Sequence, residues 1–75
     1  MKELIEYIAK SIVSNPEEVT ITEVANEDGT IFELSVAPDD MGKIIGKQGR
    51  VANAMRTLLR VAAVKEGTRA ELKIV

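Results

Sequence analysis

Seventy-five residues suffice for one small domain, and the chain has neither cysteine for disulfides or thiolate chemistry nor histidine for proton shuttling or zinc binding. No apolar run approaches the ~20 residues of a membrane-spanning helix, and Met1-Lys2-Glu3 opens no apolar signal block, so a cytoplasmic protein without membrane attachment is expected. The net charge of −2 hides a segregation: residues 1–40 hold ten acidic and two basic side chains, whereas residues 41–65 hold Lys43, Lys47, Arg50, Arg56, Arg60 and Lys65 and no acid. Electrostatic recognition follows local potential more than net charge, so this basic stretch is compatible with a nucleic-acid partner, although a solvated helix face explains it equally well.

Leu4, Ile5, Ile8, Ile12 and Val13 recur at helical spacing and predict an amphipathic helix over 2–13, ended by Ser14-Asn15-Pro16. Val19 to Val24 is rich in β-branched residues and predicts a strand. Asn26-Glu27-Asp28-Gly29 is a turn, and Ile31 to Val36 predicts a second strand with Phe32, Leu34 and Val36 on one face. So short a link makes an antiparallel hairpin. Pro38-Asp39-Asp40 opens a short helix through Ile45, with proline suited to its first turn and the aspartates to the positive end of its dipole. Gly46 to Gly49 interrupts the helical pattern, which resumes from Arg50 to about Lys65 and stops at Gly67. Ala70, Leu72 and Ile74 alternate with Glu71 and Lys73 in a last strand. The expected architecture is therefore α+β: a two-layer sandwich in which three helices cover a three-stranded sheet, in the order α-β-β-α-α-β.

The segment Gly46-Lys47-Gln48-Gly49 carries the chemistry. A nucleotide-binding P-loop needs four residues between its first glycine and Gly-Lys, followed by Ser or Thr; here three residues separate Gly42 from Gly46-Lys47, and Gln48 follows. A dinucleotide fingerprint fails on glycine spacing as well. A DNA-reading helix-turn-helix tolerates glycine in its turn, but the strands on both sides disfavour an all-helical domain. The carboxylates have no partner base and no metal-like cluster, so neither an enzyme nor a metal or other cofactor is expected. What remains is a turn where two glycines allow close backbone approach, the next helix offers free N–H groups at Arg50 and Val51, and Lys47 and Gln48 add donors. That combination suits a phosphodiester backbone; alternatively, Gly46 caps one helix and Gly49 starts the next.

Ile44-Ile45-Gly46-Lys47-Gln48-Gly49-Arg50-Val51 resembles the Ile-Gly-X-X-Gly core of the KH domain, and the element order resembles the type II arrangement over essentially the whole chain. The resemblance implies a single KH domain over 1–75, with a preceding helix and strand in 1–25 and the core strand-helix-GXXG-helix-strand in 30–75. It implies a stand-alone bacterial RNA-binding protein, a post-transcriptional regulator or RNA chaperone, that clamps about four nucleotides of single-stranded RNA. Lys43, Gly46, Lys47, Gln48, Gly49 and Arg50 would line the contact. Ile44, Ile45 and Val51 are the positions for the groove beside it, although at least one isoleucine must belong to the core. Tyr7 and Phe32 are the only aromatic residues, so bases are not expected to stack on aromatic platforms, and sequence selectivity should be modest. Nothing in the sequence distinguishes RNA from single-stranded DNA.

The helix after the turn is more apolar than one buried face requires. Val51, Met55, Leu58 and Ala62 form the expected core stripe, and Ala52, Met55, Arg56, Leu59 and Ala63 form a candidate dimer contact. The alternative is a helix broadly buried in a small core. The resemblance favours pairing, either with a second copy or with a larger KH-containing RNA-binding protein. A protein-interaction or dimerisation module with little direct RNA binding is the rival reading.

Overall fold

The computed structural model describes residues 1–75. Helix α1 spans Lys2–Ile12 and is followed by a 3-10 turn at Pro16–Glu18. Strands β1 (Thr20–Asn26) and β2 (Gly29–Ser35) come next, then a 3-10 turn at Pro38–Asp40 that runs into α2 (Met41–Ile45). The glycine turn leads into α3 (Arg50–Lys65), and β3 (Ala70–Ile74) closes the order. The predicted element order is therefore observed, with one refinement: the expected single helix from Pro38 to Ile45 is a 3-10 turn joined to a short α-helix.

β1 and β2 pair antiparallel from Thr20 opposite Ser35 to Asn26 opposite Gly29, leaving Glu27-Asp28 as a two-residue loop. The Asn26 side-chain oxygen accepts the Asp28 N–H at 2.9 Å, which closes the turn locally. β2 and β3 pair parallel, Thr30 beside Ala70 and Leu34 beside Ile74, so the sheet order is β1-β2-β3. A parallel pair needs a long crossover, and here α2, the glycine turn and α3 supply it. Thus the turn lies midway along the connection that closes the sheet.

Helix α1 lies against β1 and α3, α2 against α3, and α3 against β3. The core joins Ile5 and Ala9 of α1, Phe32 and Leu34 of β2, Ile44 of α2, Met55 and Leu59 of α3, and Leu72 of β3. The expected inward face of β2 is the buried one: Phe32, Leu34 and Val36 are each less than a tenth exposed.

Helix α3 departs from expectation. Its buried residues are Ala52, Met55, Leu59 and Ala63, whereas Leu58 is half exposed and Val51 and Ala62 are only partly buried. Three of the four stripe positions move by one residue while Met55 is common to both, a rotation of roughly 75° about the helix axis. The candidate dimer contact is corrected accordingly: Ala52, Met55, Leu59 and Ala63 are filled by the chain's own sheet and helices, and only Arg56 of that set is on the surface. The apolar surface that α3 leaves exposed is Leu58, Val61 and Val64. No helix is long and apolar enough to cross a membrane.

Candidate nucleic-acid interface

The glycine turn is shaped by two glycines with different tasks. Gly46 ends α2 with φ 75° and ψ 175°, a conformation open essentially to glycine alone. A Cβ there would also meet the Val51 backbone nitrogen at 2.9 Å and press into the Val51 side chain. Gly49 lies in the left-handed region at φ 74°, ψ 13°, but a Cβ on it would find only the Asn53 amide nitrogen, at 3.8 Å. Gly46 is therefore required by space and conformation together, Gly49 by conformation alone. Gln48 also has positive φ, at 56°, the one non-glycine residue that does. Consecutive left-handed residues at Gln48 and Gly49 turn the chain sharply enough for α3 to begin at Arg50.

This geometry sets the backbone donors. The Gly46 N–H donates to the Gly42 carbonyl at 2.8 Å, Gly49 N–H to the Gly46 carbonyl at 3.2 Å, and Arg50 N–H to the Lys47 carbonyl. The Arg50 N–H, expected to be free, is therefore engaged, and Lys47 and Gln48 lie between the two glycines. Both residues are exposed, as is Arg50. Two exposed cationic side chains and the positive end of a sixteen-residue helix thus converge on one turn.

The other expected site residues separate. Ile44 is fully buried in the core and is unavailable to a ligand, whereas Ile45 is 42 % exposed beside the turn. The two isoleucines thus divide as the chain's need for a core residue required, with Ile45 the one left for a groove. Val51 is half-buried and packs against Gly46. Lys43 points elsewhere: its ammonium donates to the Ser14 hydroxyl and lies 3.7 Å from the Asp40 carboxylate. Phe32 is buried, and Tyr7, the other aromatic residue, is exposed on α1.

Two contacts lay beyond the sequence reading. Arg56 stands two turns into α3, where its Nη1 donates to Asn53 Oδ1 at 3.2 Å and its Nε reaches the Leu72 carbonyl on β3 at 3.5 Å. Asn53 and Arg56, three residues apart on one helix face, so carry a polar track from Gly49 toward the edge strand; the i, i+3 spacing was visible in the sequence. Asp40 is the one buried charged side chain. The N–H of Ser14 above all holds its carboxyl below the usual carboxylate range, with the N–H and side-chain amide of Asn15 and the Lys43 ammonium adding to this against the opposing effect of burial. No polar side-chain atom is left buried without a partner, and no group of His, Cys, Asp and Glu is arranged to hold a metal.

A three-stranded sheet in the order α-β-β-α-α-β, with a GXXG turn between its last two helices, defines a KH domain of the type II arrangement. The family model "KhpA/KhpB, KH domain" matches residues 2–74. The chain is 56 % identical to the RNA-binding protein KhpA of Clostridium acetobutylicum and 53 % identical to that of Clostridium perfringens, over the full length of both partners in each case. It is 51 % identical to the RNA-binding protein KhpA of Caldanaerobacter subterraneus, again over the whole of each chain. No solved structure matches it. The chain belongs to the KhpA/KhpB family of KH domains.

Proposed function

We propose that this protein binds single-stranded RNA at the Gly46–Gly49 turn, gripping about four nucleotides through their phosphodiester backbone. One observation carries the reading: at this turn the exposed Lys47 and Arg50 and the N-terminus of α3 come together. The names of the KhpA relatives, each an RNA-binding protein, support the choice of ligand. Ile45 and Val51 flank the turn as an apolar rim for bases, and the absence of an aromatic platform there makes base selectivity modest. Single-chain affinity on the order of micromolar or weaker follows, with a slope of log K against log salt of about −2 if three phosphates are neutralised. The function needs no catalytic step. It suits a cytoplasmic post-transcriptional regulator or RNA chaperone acting as one KH unit over residues 1–75.

Pairing belongs to the same reading. Leu58, Val61 and Val64 give α3 an exposed apolar strip at i, i+3, i+6, and two weak sites on one assembly gain avidity. A second copy or a KH-containing partner would cover that strip. Sedimentation equilibrium tests it, with a monomer throughout the high micromolar range counting against self-pairing.

The test of the RNA site is the double variant Lys47→Asp, Gln48→Asp, titrated with short fluorescent RNAs by anisotropy. Binding should fall at least tenfold as two negative charges meet the phosphates. Unchanged affinity in a folded variant would overturn the assignment. Recovery of proteins but no RNA after crosslinking in cells would instead favour the interaction-module reading.

A further inference from the structure

The most unusual side chain outside the turn is Asp40, a carboxylate only 1 % exposed in a chain whose other buried residues are all apolar. Burying a charge is costly unless it is hydrogen-bonded and paired. Here it is both. Oδ1 accepts the Ser14 N–H at 3.0 Å, and Oδ2 accepts the Asn15 N–H at 3.0 Å and the Asn15 side-chain amide at 3.1 Å. The Lys43 ammonium, 3.7 Å from Oδ1, donates in addition to the Ser14 hydroxyl. All these partners except Lys43 belong to the link between α1 and β1, 25 or 26 residues away in sequence. One carboxylate thus fastens that link to the residue immediately before α2.

The position matters because α2 is only five residues long. A helix this short has no stability of its own and takes its place from tertiary contacts. Ile44 anchors its buried side, and the Asp40 clasp anchors its start. Its other end is Gly46, the first residue of the turn. Loss of the clasp would leave α2 free to pivot about Ile44 and carry Gly46 with it.

We propose that Asp40 is a positioning residue for the Gly46–Gly49 turn, and that Lys43 braces the clasp rather than meeting phosphate. The consequence for RNA rests on the RNA-binding function proposed above, whereas the consequence for the turn itself does not. A clasp role predicts local loosening, and a general role in folding predicts loosening everywhere. Lys43 as a brace predicts no counterion release on its account, unlike Lys47.

The experiment uses Asp40→Asn, Asn15→Ala and Lys43→Gln in the full chain, with hydrogen exchange read by NMR and binding of a labelled eight-nucleotide RNA read by anisotropy. In Asp40→Asn, exchange of the Gly46 amide should rise at least about tenfold while the β2 amides of Phe32 and Leu34 keep their rates relative to one another and to wild type. RNA affinity should fall roughly tenfold with the salt slope unchanged, and Lys43→Gln should also keep the slope, where Lys47→Gln lowers it by about 0.7. If Asp40→Asn fails to fold, Asn15→Ala, which removes one of the three hydrogen bonds, should show the same localised pattern to a smaller degree. Equal acceleration of turn and sheet amides would overturn the clasp, and a slope lost in Lys43→Gln as in Lys47→Gln would overturn the brace. Absence of RNA binding by the wild type would defeat the proposed function while the exchange data still decided the clasp.

Discussion

Alanine placed at three glycines of the same short stretch should give three different outcomes. Gly42 sits in α2 with nothing within 4 Å of an added Cβ and no positive φ, so alanine there should stabilise by about 0.4–1 kcal/mol through a less flexible unfolded chain. Gly49 has the same open space but φ 74°, and forcing alanine into the left-handed region costs about 1–2 kcal/mol. Gly46 combines φ 75° and ψ 175° with a Cβ held against the Val51 nitrogen at 2.9 Å. Backbone strain of about 1–3 kcal/mol adds there to overpacking of about 1–3 kcal/mol, a central value near 4 kcal/mol. A chain of this size has a total stability of only about 4–11 kcal/mol, so Gly46→Ala should remove from about a third to all of it. Urea melts followed by circular dichroism measure all three. Equal losses for Gly46→Ala and Gly49→Ala, or a loss for Gly42→Ala comparable to theirs, would contradict these assignments.

The rotated face of α3 separates two adjacent leucines. Leu59 is fully buried and Leu58 is 48 % exposed, so Leu59→Ala should cost about 2–5 kcal/mol and Leu58→Ala under about 1 kcal/mol, as urea melts of the two variants would report. The Asp40 carboxyl has a lowered pKa when folded. Its contribution is accordingly complete above the ordinary carboxylate range and is lost as pH falls through the lowered value. Thermal melts from neutral to strongly acid pH should show the wild type losing more stability than Asp40→Asn over that acid range, and parallel curves would contradict this.

The order of elements was legible because period-2 and period-3.6 patterns are separated here by Pro16, the Asn26–Gly29 turn, Pro38 and the glycines. The buried face of β2 was legible for the same reason, since Phe32, Leu34 and Val36 alternate with polar or smaller residues. The buried face of α3 was not. Val51-Ala52, Leu58-Leu59 and Ala62-Ala63 are apolar pairs, so two stripes one residue apart fit the pattern equally well. The choice is made by where the turn and β3 hold the helix, with Val51 packed on Gly46 and Arg56 reaching Leu72. Asp40 was visible only as an acid at a helix start. Its partners at Ser14 and Asn15 are brought to it by the fold, and no local pattern announces a contact across 25 residues. The glycine turn stood out by its spacing, its flanking helices and its resemblance to the KH core, but the burial of Ile44 and the contacts of Lys43 with Ser14 and Asp40 needed three dimensions.

Whether the turn grips RNA can be read residue by residue by titrating 15N-labelled protein with a short single-stranded RNA and following every backbone amide. The largest shifts should fall at Lys47, Gln48, Gly49 and Arg50, with smaller ones at Ile45 and Val51 and little change at Lys43 or along α1. Shifts confined to α1, β1 or the exposed strip of α3, with the turn amides unmoved at saturation, would contradict RNA binding at the turn.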